Sequence, residues 1–218
     1  MADTALQRKN MVESQVRPSD VTDRRIMAAM QTIPRERFVP GPNAALAYMD
    51  EALMVAPGRA LIAPRTLARL IQLGDIDATD KVLNVGAMTG YGAAVLANLA
   101  KQVVALESDK ALSAVATKLL ADLGLNNVTV VAGELAQGYR ASAPYDVIVI
   151  EGAVAHMPDE LVAQLAPGGR IVTVDASGDV SVAVVVTRGA DVQVSRRVAF
   201  EASAPILAGF EAPKSFVF

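Results

Sequence analysis

The feature that most restricts this chain is an alternation of short apolar runs with helical segments between residues 81 and 174. Runs at Lys81 to Val85, Gln102 to Leu106, Asn127 to Val131, Tyr145 to Ile150 and Arg170 to Val174 read as strands. Helical stretches separate them: one to about Leu99, one from Asp109 to Leu123 stopped by Gly124, and one starting at Pro158. Parallel strands need such crossovers, so the pattern predicts a doubly wound, mostly parallel α/β sheet. The last runs differ. Ser181 to Thr187 and Val192 to Phe200 flank the short turn Arg188-Gly189-Ala190-Asp191, which predicts a C-terminal β-hairpin. Seven strands result.

Before this region the chain reads as helix and loop. Ile26, Ala29, Met30 and Ile33 recur at helical spacing, with Thr22 placed to cap the start. Pro34, Pro40, Pro42 and Pro57 break the next stretch into loops. Pro64 sits at a first helical position, and Leu67, Leu70 and Ile71 form the apolar face of a helix ended by Gly74. Arg35 and Arg37 read as a surface patch or as pairing between elements. The chain is expected to form one domain over 1–218, with a helical extension (1–75), a ligand-binding core (76–200) and a tail (201–218). Phe210, Phe216 and Phe218 in that tail are expected to pack on the domain or on a second subunit.

Composition narrows the function. With no cysteine, disulfides, thiol catalysis and thiolate metal sites are excluded. Net charge is −3, so no global basic field recruits nucleic acid. The N-terminus lacks the apolar run of a secretory signal, and no apolar stretch approaches a membrane span. These readings predict a cytoplasmic protein without nucleic-acid or membrane partners. No His, Asp and Glu grouping has metal-ligand spacing, so no metal site is expected.

The candidate ligand site is Val82-Leu83-Asn84-Val85-Gly86-Ala87-Met88-Thr89-Gly90-Tyr91, a buried strand ending in a glycine turn that opens a helix. Ligands of such sheets bind beyond the carboxyl ends of the strands, where glycines permit close approach and helix N–H groups meet an anion. Glu107 ends the next strand about 20 residues on, where an acid accepts from ribose hydroxyls. Met88 stands where a dinucleotide fingerprint needs its central glycine, which disfavours a nicotinamide-dependent oxidoreductase. His156, the only histidine, follows the fourth strand; a loop histidine bonded to its neighbours is favoured there over a general base.

The segments Met11-Val12-Glu13-Ser14-Gln15-Val16-Arg17-Pro18, Ile33-Pro34-Arg35-Glu36-Arg37-Phe38-Val39-Pro40 and Ala47-Tyr48-Met49-Asp50-Glu51 resemble the protein-L-isoaspartate O-methyltransferase family. So do Ala143-Pro144-Tyr145-Asp146 and Gln164 to Arg170, in order and spacing. The resemblance implies the sheet of an S-adenosylmethionine (AdoMet) dependent methyltransferase, with AdoMet as cofactor. It implies methylation of an isoaspartyl carboxylate in a protein or peptide, and leaves a homodimer open. It places AdoMet at Gly86, Ala87, Met88, Gly90, Tyr91, Glu107, Gly133 and Glu134. Several positions depart from the family pattern. Asn84 replaces an acid and Met88 a glycine of the turn Glu-Ile-Gly-Thr-Gly-Ser-Gly-Tyr. Ile62 stands where the family has a Ser or Thr tied to catalysis. Gly133-Glu134-Leu135 replaces the Gly-Asp-Gly that contacts adenine, Glu151 replaces a Thr, and Phe200-Glu201-Ala202-Ser203 replaces the closing Phe-Val-Pro-Leu. The departures cluster at ligand-facing turns. A second reading therefore stands beside the enzyme: a family member keeping the fold as a binding or assembly module.

Overall fold

A computed structural model describes residues 4–189, 191 and 193–212. Phe216 and Phe218, and the hairpin residues Ala190 and Val192, lie outside the described residues. The main sheet has seven strands: β3 (Lys81–Val85), β4 (Gln102–Glu107), β5 (Val128–Ala132), β6 (Tyr145–Val154), β7 (Leu165–Asp175), β8 (Val182–Arg188) and β9 (Val194–Glu201). Their order is β5-β4-β3-β6-β7-β8-β9. The pairs from β5 to β7 are parallel, and β8 and β9 are antiparallel to their neighbours. This is the expected doubly wound sheet with its hairpin. The central strands are buried on both faces, as continuous apolar runs demand. The edge strands β5 and β9 are half-exposed to exposed.

The helices are set by local chemistry. In α3 (Pro64–Leu73), proline occupies the first turn and Leu67, Leu70 and Ile71 pack on β6 and β7. In α5 (Lys110–Asp122), Asp109 caps the start, accepting from the N–H groups of Ala111 (2.7 Å) and Leu112 (3.1 Å). Gly124, at φ +70°, ends it. The helix α4 (Tyr91–Ala97) opens directly from the glycine turn, and α6 (Asp159–Ala163) joins β6 to β7. Among the described residues, no helix is long and apolar enough to cross a membrane.

The N-terminal region contains α1 (Thr4–Met11) and α2 (Arg24–Thr32). Asp23, not Thr22, caps α2, because its carboxylate accepts from Arg25 N–H at 2.8 Å. Thr22 instead bonds the Gln72 side chain through its own N–H, at 2.7 Å. A two-stranded ribbon, β1 (Leu53–Ala56) and β2 (Arg59–Leu61), stands in the stretch read as loop. Gly58, at φ +67°, makes the turn between them.

Arg35 ties this region to the sheet. It is 1% exposed, so of the two readings of its patch the pairing between elements is the one that holds for Arg35. Burial pushes its guanidinium pKa below the usual arginine range. Nε donates to the Ala47 carbonyl at 2.8 Å and Nη2 to the Ile62 carbonyl at 2.9 Å. The guanidinium lies 4.6 Å from the centre of the Tyr91 ring, and that ring packs edge-on against Phe38. Arg37 is exposed and pairs with Asp122 at 3.2 Å. Arg35→Ala strips the Ala47 and Ile62 carbonyls of their donor and leaves a cavity under Tyr91. We expect a loss of about 3 kcal/mol in urea denaturation, against less than about 0.5 kcal/mol for Arg37→Ala.

Candidate functional site

The carboxyl ends of β3, β4 and β6, where the expected crevice would lie, bring together most of the residues expected to hold a cofactor. The turn after β3 carries Gly86 at φ +77°, Met88 at φ +49° and Gly90 at φ +96°. Met88 is the exception, since an L-residue in the left-handed region costs about 1 kcal/mol. Its N–H compensates by donating to Glu107 Oε2 at 2.7 Å, and its side chain is fully buried.

Glu107 ends β4 with no exposure. Buried charge is tolerated only when paired and hydrogen-bonded. Here the Arg59 guanidinium on β2 forms an ion pair with Oε2, which also takes the Met88 N–H. Oε1 accepts from Asp109 N–H at 2.9 Å and Ser108 Oγ at 3.3 Å. Both oxygens are thus engaged by the chain itself. The turn's donors are similarly used. Gly86 and Ala87 donate to the Leu106 carbonyl at 2.9 and 3.1 Å, and Gly90 donates to Ala87 at 2.7 Å. These bonds belong to the turn itself; the helix N–H groups expected to meet an anion are those that open α4 at Tyr91.

The remaining predicted residues separate. Gly133 donates to the Glu107 carbonyl at 3.0 Å, placing that turn beside the crevice. Glu134 is exposed, whereas Leu135 is buried in the apolar cluster beneath. Tyr91 faces the core against Arg35 and Phe38, and burial pushes its hydroxyl up to about 12. Ile62 is a core residue, 1% exposed. His156 is exposed, and its backbone N–H donates to the Phe210 carbonyl at 3.1 Å.

A cavity of about 470 Å³ opens beside the N-terminus of α3. Ala63, Thr66, Arg69, Phe200 and Glu201 contribute to its wall, and the Arg69 guanidinium stacks 3.5 Å from the centre of the Phe200 ring. Thr66 therefore places a hydroxyl-bearing side chain on this wall, in the first turn of the helix that the proline opens. Glu201 also faces the cavity and opposes an anionic group there.

Glu151 lies elsewhere. It is buried on β6, and its Oε1 accepts from Asn84 Nδ2 at 2.8 Å. A methyl group on Gly92 would collide with its carboxyl, so the absent Cβ makes room for it. The family resemblance puts an acid at position 84 and a threonine at 151. Here the acid stands on the neighbouring strand and bonds back to Asn84. Burial pushes the Glu151 pKa up to about 7, although Asn84, Arg35 and Arg59 oppose the rise. Arg59, Asn84 and Glu151 are the site residues that local sequence did not announce as a group.

The family model described as Protein-L-isoaspartate(D-aspartate) O-methyltransferase (PCMT) matches residues 6–202. The chain belongs to this family. A protein-L-isoaspartate O-methyltransferase of Koribacter versatilis (strain Ellin345) is 41% identical over 168 residues, which is 77% of this chain and 76% of that protein. Among solved structures, a protein-L-isoaspartate O-methyltransferase superposes with a TM-score of 0.81 at 25% identity, covering 93% of this chain and 66% of that one. A Plasmodium falciparum structure carrying the same enzyme name, in complex with S-adenosyl-L-homocysteine, gives 0.77 at 18% identity and supports the fold; it covers 92% of this chain and 97% of that one. The matched range takes in the glycine turn, Glu107, Arg59 and Glu151 alike.

The raised Glu151 pKa has a definite sign for stability. The folded protein keeps this proton up to about pH 7, whereas the unfolded chain releases it near the ordinary glutamate value of 4.5. The contribution is fully present below the unfolded pKa and is lost as pH rises through about 7. Glu151→Gln should therefore gain stability relative to wild type as pH rises from about 4.5 to about 7, by about 3 kcal/mol at most. Urea denaturation across that range checks it; parallel profiles would show that no buried proton is released there.

Proposed function

We propose that this chain is an AdoMet-dependent methyltransferase that esterifies a carboxylate of an isoaspartyl protein or peptide. The observation that carries this reading is the family match over residues 6–202 on a sheet that keeps the glycine turn and Glu107 at adjacent strand ends. AdoMet would supply an electrophilic methyl group, so the protein's contribution is mainly to orient a nucleophilic carboxylate. The cavity at Ala63, Thr66 and Arg69 supports the substrate side: the Arg69 charge offsets the repulsion from Glu201, and Thr66 brings a hydroxyl to the wall. We place the protein in the cytosol on the same reading, which the absence of cysteine suits.

Glu107, the turn from Gly86 to Gly90 and the first amides of α4 are the groups that would hold the cofactor, and in the conformation described Leu207 is seated against Gly86. Both Glu107 oxygens and the N–H groups of Gly86, Ala87 and Met88 are bonded within the chain. That same engagement favours a second reading, in which the fold serves as a binding or assembly module.

Transfer of label from methyl-labelled AdoMet to an isoaspartyl peptide separates the two. The enzyme reading predicts a base-labile methyl ester on the isoaspartyl peptide and none on its aspartyl counterpart. Absence of label with folded protein at millimolar AdoMet would favour the module.

A further inference from the structure

After β9 the chain turns back over the crevice. Ala153 N–H donates to the Pro205 carbonyl at 2.8 Å, and Leu207 N–H to the Ala153 carbonyl at 3.0 Å. Ala155 and His156 both donate to the Phe210 carbonyl, at 2.9 and 3.1 Å. These bonds align residues 205–210 with the end of β6, and an isolated parallel bridge joins Ala153 to Ile206.

The alignment decides where the side chains go. Leu207, 3% exposed, is seated against the glycine turn. Its Cδ1 lies 3.1 Å from the point a Cβ on Gly86 would occupy, and at Gly152 the leucine leaves no room for one. Phe210 is fully buried in the cluster that contains Leu106 and Leu135. Gly209 backs onto Ala136, whose Cβ lies 3.6 Å from the point a Cβ on the glycine would occupy. One short segment thus covers the turn after β3, the end of β6 and the turn after β5. From the other side Arg59 closes the end of β4: its Nη2 pairs with Glu107 and lies 3.7 Å from the same Gly86 Cβ position. Arg59 Nε and Nη1 are buried without partners, an arrangement that is costly unless the side chain has a reason to stay.

We propose that residues 205–210, with Leu207 as the seated side chain and Arg59 as the second arm, form an intramolecular plug that competes with the nucleoside ligand for the crevice. The inference rests on the reading that this crevice takes AdoMet. The plug fills the space beside Gly86 with hydrocarbon and takes the Glu107 carboxylate with a guanidinium, so ligand and plug exclude each other. The segment is held by few backbone bonds and leaves Ile206 exposed, which suits local opening rather than global unfolding. Apparent affinity is then the intrinsic affinity reduced by the fraction of open chains.

The test is calorimetric titration of S-adenosylhomocysteine into the full chain, Leu207→Ala and Arg59→Gln, each confirmed as folded by circular dichroism. Hydrogen exchange of the wild-type protein with and without ligand accompanies it. Weak wild-type binding, tightened about tenfold in Leu207→Ala, is expected, since the smaller side chain raises the open fraction. In saturated wild type the amides of Ala153, Ala155, His156 and Leu207 should lose protection, which a merely structural tail would not show. If Arg59→Gln fails to fold, Leu207→Ala and the exchange data still decide. Equal affinities, or amides unchanged or better protected on binding, would overturn the plug and leave the methyltransferase reading standing. No binding by any folded variant at millimolar ligand would overturn the plug and remove the cofactor from the reading as well.

Discussion

A carboxylate with no exposure sits at the end of β4, and the surrounding structure answers to its charge. Glu107 is held by the Arg59 guanidinium and by N–H groups of Met88 and Asp109. Removing one partner from such a pair leaves an unpaired buried charge, at a cost of about 3–5 kcal/mol. The ribbon β1–β2 exists on the side of the sheet where Arg59 can reach this oxygen. The Met88 N–H meets it only because Met88 accepts a left-handed backbone. Glu107 is thereby a structural node that joins β2, β4 and the glycine turn.

A second set of constraints runs through the N-terminal region. Arg35 links Ala47 and Ile62 to the Tyr91 ring, and Thr89 Oγ1 donates to the Phe38 carbonyl at 2.6 Å. The glycine turn is thereby clamped from below by groups in the N-terminal region. Asn84, Glu151 and Gly92 add a buried polar layer beside it, with the carboxyl seated where a side chain on Gly92 would be. The turn is rigidified on its inner face, and its outer face is covered by Leu207.

The sheet was legible because its signals are local. Continuous apolar runs, a helix start at Asp109 and stops at Gly74 and Gly124 each follow from a few neighbouring residues. The hairpin β8–β9 was legible for the same reason. The ribbon was not, because Leu53–Ala56 is only four residues long and Pro57 reads as a break. At the site, the turn and Glu107 were legible from spacing, and the replacements at Asn84, Met88 and Glu151 were visible against the family pattern. Their consequences were not. Arg59 meets Glu107 across 48 residues, and Asn84 meets Glu151 across 67. No local pattern encodes such a pairing. Phe210 was expected to pack on the domain or on a second subunit, and it packs on the domain, but the partner of Leu207 depends on where β6 ends. The β6 strand runs to Val154, beyond the predicted end at Ile150.

Closure of the crevice by the chain's own C-terminal segment can be tested by proton NMR without ligand or substitution. A closed crevice gives nuclear Overhauser contacts from the Leu207 methyl groups to the α-protons of Gly86 and Gly152. Random-coil shifts for Ile206 to Phe210 with no such contacts would contradict it.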